Sequence, residues 1–191
     1  ATYSMARSLL TAPRLAEAVA TGIAGGALGA AVGSLVDLAV PAAIVAGLNG
    51  VVGGVRATYR WRSPVGVVAF VLDSTWALLT TLAGLAAHVV ALAQGRGAGY
   101  VPMLSTRRNR HVYVRGLQPR KGFAITLGNV VNGADPRAWT SDRRQRLITD
   151  HEDVHVWQAR WFGPLFPVVY VGWMVVGGAF GALVWLVRRR D

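Results

Sequence analysis

The chain has no cysteine, a single lysine (Lys121), and charged residues at only 15% of its 191 positions. Without thiols there is no disulfide, no thiolate metal site and no cysteine nucleophile, and the redox compartment leaves no trace in the sequence. A charged fraction well below the roughly 25% of soluble domains excludes an ordinary soluble globular domain. Acids are scarce as well, nine in all, and histidines number four. Set against these deficits are 53% hydrophobic residues and 23 glycines, with a mean hydropathy of +0.39. That is the composition of an integral membrane protein whose helices pack closely.

The net charge of +11 is almost all arginine. In a soluble domain such a balance would point to nucleic acid. Here the arginines flank apolar segments, where they set topology or meet anionic headgroups, and no nucleic-acid motif accompanies them. Membrane lipids are the expected contact, and nucleic acid is not. The opening stretch ATYSMARSLLTAPR has no apolar h-region followed by a cleavage site, so no cleavable signal peptide is expected.

Apolar blocks divide the chain. The first, Ala18 to Val55, is interrupted by Asp37 and Pro41 and predicts a hairpin of two short helices turning there. Gly22 and Gly26, the series Gly25, Gly29 and Gly33, and then Gly50 and Gly54 recur at four-residue spacing, which predicts a face for close helix packing. Residues 64 to 93 are too long for one straight span. A helix is expected from Asp73 or Ser74, either able to cap it, to Ala93, with 64 to 72 at the interface or continuing at a tilt. The last span is Pro164 to Val187, ended by Arg188, Arg189 and Arg190. The fold class is therefore mostly α and integral to the membrane, with about four membrane helices. A small α+β insertion lies outside the bilayer.

Four segments follow: 1–62, the glycine-rich hairpin; 63–94, the middle helix; 95–161, the polar domain; and 162–191, the C-terminal helix. Within the third, YVPMLSTRRNRHVYVRGLQPRKGFAITLGNVV predicts two or three short strands with a hairpin around Gly116 to Gly122. Asp142, with Gln145 three residues on, is a plausible N-cap for a helix to about Trp161, before a bend at Gly163 and Pro164. Arginines before the hairpin, after it and at the C-terminus place both termini in the cytoplasm. The polar domain is then extracytoplasmic at the plasma membrane, despite its twelve basic residues.

His151, Glu152 and His155 spell H-E-x-x-H. On a helix, positions i and i+4 share a face, so both imidazoles can reach one Zn²⁺, with Glu152 placed as general base. Leu147, His151, Val154, His155, Gln158 and Phe162 share that face, while Arg146, Asp150, Asp153 and Arg160 fall mostly on the other, solvated one. Two features depart from the usual zincin pattern. Asp150 and Asp153 stand where uncharged residues are usual, and after His155 there is no histidine and only one acid, Asp191. A third protein ligand must therefore come from upstream. His111 is the first candidate, with Asp135, Asp142 and His88 behind it. Asp73 is either a cap or a buried intramembrane acid. Trp157, Trp161, Tyr170 and Trp173 read as interface anchors.

The stretch HEDVHVWQARWFGPLFPVVY resembles a group of small bacterial membrane proteins. Their shared pattern is H-E-x-x-H-x-x-Q followed by G-P-L-aromatic opening a membrane helix. GFAITLGNVV is similar to their glycine-flanked strand, so the resemblance covers roughly residues 122 to 170. It implies a zincin-like zinc site with His151 and His155 as ligands, Glu152 as base and Gln158 within the pattern. The expected function is a membrane zinc metallopeptidase cleaving peptide bonds near the membrane surface. The alternative is a non-catalytic accessory or scaffold subunit in which the motif is metal-structural or degenerate, docked to a larger membrane complex through the glycine-rich hairpin.

Overall fold

The computed structural model describes residues 11–118, 120, 123–135 and 146–189. Helices α1 (Ala12–Gly33) and α2 (Ala39–Val55) form an antiparallel hairpin. The chain turns through Ser34–Val36 and Asp37, whose φ of 58° closes the turn. The glycine spacing does what it predicts. A Cβ on Gly29 would lie 2.5 Å from the Ala42 carbonyl oxygen and one on Gly25 2.7 Å from that of Ala46; Gly50 and Gly54 press in the same way on Thr21 and Ala18. The Thr21 hydroxyl donates across the seam to the Gly50 carbonyl at 2.7 Å.

The middle block departs from expectation. It is two helices, α3 (Pro64–Ser74) and α4 (Leu78–Ala93), bent by 90° at the break. Asp73 caps nothing; it ends α3 and is buried. Two hydrogen bonds hold the break. The Thr81 hydroxyl takes up the Asp73 carbonyl at 2.8 Å, and the Trp76 indole N–H donates to the Trp161 carbonyl at 2.9 Å. From there α4 buries Thr80, Thr81, Gly84, Ala87, His88 and Ala91, while Leu79, Leu82, Val89 and Leu92 remain exposed.

After a short helix α5 (Pro102–Ser105) come three strands, β1 (His111–Val112), β2 (Ile125–Leu127) and β3 (Val130–Asn132). Their order is β1-β3-β2, with β1 parallel and β2 antiparallel to β3. The hairpin is thus the tight turn Gly128–Asn129, not residues 116 to 122, because β3 lies between β1 and β2. Gly128 has φ 56° and its Cβ position is filled by the Thr80 carbonyl, so both conformation and space require glycine. The expected cap Asp142 lies outside the described residues. A π-helical turn, Leu147–His151, leads into α6 (Glu152–Phe162), and a 3₁₀ turn over Gly163–Leu165 connects it to α7 (Phe166–Arg188). Val156 of α6 closes a core with Val101, Leu104, Val112, Val131 and Ala134. In α7 no residue is buried.

The chain is mostly helical with a small sheet. Its described helices include two long and apolar enough to cross a membrane, or three if the bent pair is one span, and the 17-residue α2 is a shorter apolar helix. That is consistent with a membrane protein. The polar domain sits directly on the α2–α3 connection. Arg107 and Asn109 donate backbone N–H groups to the Ala57 and Thr58 carbonyls, Arg56 donates to the Tyr113 hydroxyl at 2.6 Å, and the Arg107 guanidinium holds Glu17 of α1 at 2.6 and 2.7 Å.

Candidate metal centre

Helix α6 buries Glu152, Val156, Ala159 and Arg160. The buried face is therefore not the histidine face expected from periodicity. Val154 is exposed, and His151 and His155 lie on an open flank. Their Nε2 atoms are 3.1 Å apart, and their rings are nearly perpendicular at 88°. Gln158 reaches back so that its Oε1 lies 2.9 Å from His155 Nδ1. With the amide oxygen as acceptor, His155 would donate from Nδ1 and turn an Nε2 lone pair toward His151. That is the tautomer an Nε2 metal ligand needs, with the outer partner that commonly fixes it.

Zinc sits about 2.0 Å from each nitrogen ligand, which sets neighbouring ligands of a tetrahedron roughly 3.3 Å apart. The observed 3.1 Å fits one ion between the two imidazoles. Glu152, beside His151, is buried and accepts from the Thr126 hydroxyl of β2 at 2.6 Å. Asp153, expected on a solvated face, accepts instead from the buried Arg110 guanidinium at 2.8 Å. The same guanidinium holds the Thr149 carbonyl at 2.9 Å. The charge that departs from the zincin pattern thus clamps the motif's first turn to the segment before β1.

Among the described residues, no group of three or more His, Cys, Asp or Glu gathers around a possible ion. His111 does not join the pair. It is fully buried on β1, edge-on to His88 with ring centres 4.5 Å apart, and close to the Thr58 and Tyr100 hydroxyls. Burial, with the His88 ring and the Arg56 and Arg160 guanidiniums nearby, pushes its pKa well below the usual histidine range, so it is neutral. His88 is likewise a packing residue, 2.8 Å from the Tyr113 hydroxyl through Nδ1. Asp142 lies outside the described residues.

Sequence reasoning missed the polar cluster behind the motif. Arg160, expected on the solvated face, is buried and grips Asp73 with two bonds of 2.8 Å. Tyr59 donates to the same carboxylate at 2.9 Å and Asn129 at 3.3 Å. Asn49 donates to the Tyr59 hydroxyl and accepts from Asn129. The cluster ties α2, α3, the sheet turn and α6 together. Its one legible signal was an acid inside an apolar block.

The chain matches no family model, no curated protein and no solved structure.

Proposed function

We propose that this protein is a membrane-embedded zinc metallopeptidase that hydrolyses peptide bonds at the membrane surface. The observation that carries the reading is the approach of two imidazole nitrogens to 3.1 Å on an open helix flank, with a carboxylate next in sequence. His151 and His155 would hold the ion, and Gln158 keeps His155 in the ligating tautomer. A zinc ion held there would supply Lewis acidity toward a peptide carbonyl and would lower the pKa of a bound water. Glu152, steadied by Thr126, accepts the proton of the attacking water and returns it to the departing amine. The resemblance of residues 122 to 170 to small membrane proteins with the same pattern supports these roles.

The membrane arrangement we propose has three crossings, α1, α2 and α7, with α3 and α4 entering the bilayer and returning. It differs from the four-crossing expectation, which sets residues 56–62 and the polar domain on opposite faces. Direct hydrogen bonds from Arg107, Asn109 and Arg56 between those two segments support a shared face. So does the 90° bend between α3 and α4. Among the described residues, that face carries Arg14, Arg56, Arg60, Arg62 and the basic residues of the polar domain, against Arg188 and Arg189 on the other. By the bias of basic residues it is cytoplasmic, and the substrates are peptide segments presented there.

One observation favours the second reading, a non-catalytic subunit of a larger complex. Gly172, Gly177, Gly178 and Gly181 of α7 have nothing within 4 Å, which suits a helix awaiting a partner. Metal content together with peptide hydrolysis separates the two, since a scaffold whose motif is metal-structural would hold zinc without cleaving peptide. The detergent-purified protein is expected to hold about one zinc per chain, lost in a His151→Ala, His155→Ala double variant. Glu152→Gln is expected to keep zinc and lose hydrolysis of a quenched-fluorescent peptide library. Wild-type protein that stays zinc-free after dialysis against zinc would leave the scaffold reading.

A further inference from the structure

Charge is spread unevenly along the chain. From Ser74 to Ala134 there are seven basic residues and no acid. Where α4 ends, this acid-free stretch forms a cleft of about 410 Å³ lined by Gln94, Gly97, Arg115, Gly116 and Gln118, a size usual for small-ligand sites. Its walls are fixed from behind. The Arg115 N–H donates to the Ala98 carbonyl, and the Arg115 carbonyl accepts from the Gly133 N–H, both at 2.9 Å. Gln94 directly follows the last residue of α4. Its amide clamps Gly116, donating to the carbonyl at 2.9 Å and accepting from the N–H at 3.2 Å. Gly116 has φ 73°, and a Cβ there would meet the Asn132 side-chain oxygen, so the wall requires glycine.

What the walls leave over are chiefly hydrogen-bond donors. The Arg115 guanidinium is exposed and pairs with no acid among the described residues. Gln118 gives one amide N–H to the Phe123 carbonyl at 2.7 Å, and an amide nitrogen has a second to give. A planar guanidinium beside amide donors matches a phosphate group, to which arginine can make two parallel bonds. The end of α4 supplies the apolar half of a lipid site. Val89 and Leu92, within five residues of Gln94, are exposed. Resting on the reading of α4 as a helix within the bilayer, we propose that this cleft binds a phosphate-bearing lipid headgroup. Arg115 holds the phosphate, and the acyl chains run down α4 past Leu92 and Val89. The site needs only that α4 ends at a bilayer surface, whichever side that is, and it is independent of the zinc site.

Scintillation proximity binding to the full-length protein in a neutral detergent tests this with three radiolabelled probes: dioctanoyl phosphatidylglycerol, dioctanoylglycerol and inorganic phosphate. Phosphatidylglycerol is expected to bind at one site per chain, more tightly than dioctanoylglycerol, which has the chains but no phosphate. Arg115→Gln is expected to weaken phosphatidylglycerol binding about 10–100-fold, as loss of a hydrogen bond to a charged group does. The bonds that fix residue 115 are made by its backbone, so this variant keeps the wall intact, and Arg115→Lys should recover part of the affinity. Arg108→Gln, equally exposed but outside the cleft, should leave binding unchanged. Inorganic phosphate that binds with the same dependence on Arg115, while the lipid does not, would keep the phosphate site and overturn the lipid as its source. Dioctanoylglycerol bound as tightly as phosphatidylglycerol, or equal losses in Arg115→Gln and Arg108→Gln, would overturn the site, because chains or bulk charge alone would then account for binding. So would the absence of binding by both phosphate probes.

Discussion

Asp73 and Arg160 are 87 positions apart in sequence and meet through two bonds of 2.8 Å, with 2% and 1% of their side chains exposed. Removing two charges from water is costly, and their mutual attraction offsets that cost only with good geometry and further hydrogen bonds. Tyr59, Asn129 and the Asn109 carbonyl supply those bonds. Loss of one partner strands the other charge. Asp73→Ala and Arg160→Ala are each expected to cost about 3–5 kcal/mol, measured by denaturant unfolding in detergent. An Asp73→Leu, Arg160→Met double variant should lose less than either single variant, because it buries no unpaired charge. Additive losses would mean the two residues do not act as a pair. The pair was only half legible in the sequence. An acid in an apolar block signals burial, but Arg160 lies on a helix with Asp150, Asp153 and Arg146 nearby, and periodicity alone assigned it to their side.

At the scale of elements, the α1–α2 hairpin and α7 put the same residue type to opposite use. Gly50 stands against the Thr21 carbonyl, whereas Gly177 has open space around it. Gly50→Ala must push the helices apart and is expected to destabilise by about 1–3 kcal/mol, as overpacking does. Gly177→Ala is expected to be neutral or to stabilise by up to about 1 kcal/mol through helix propensity. Thermal unfolding of the two variants side by side checks this; equal effects would mean that the hairpin is not held by close contact. The hairpin was readable because four-residue glycine spacing is a local pattern with one physical meaning. The α3–α4 break was not. No proline or glycine marks Thr75 to Ala77, and the bend is held by Thr81, Trp76 and Arg160, partners up to 87 residues away.

At the scale of the molecule, the absence of cysteine makes the proposed arrangement easy to test. Ser34→Cys lies in the exposed hairpin turn and Arg120→Cys on the exposed surface of the polar domain. With three crossings, a membrane-impermeant thiol reagent should label Ser34→Cys on intact cells, and Arg120→Cys only after permeabilisation. Labelling of both on intact cells would restore the four-crossing arrangement with an extracytoplasmic motif.

Composition, glycine spacing and the H-E-x-x-H-x-x-Q string are properties of neighbouring residues. From them alone follow a mostly helical chain with apolar spans, a close-packed hairpin and a histidine pair on one helix flank. The tertiary structure decided what depends on residues far apart: that His111 is enclosed with His88, that Arg160 turns inward to Asp73, and that α3 and α4 bend. The physical reason is the same in each case. A buried charge, a ring contact or a helix break takes its energy from partners that only the folded chain brings within a few ångströms.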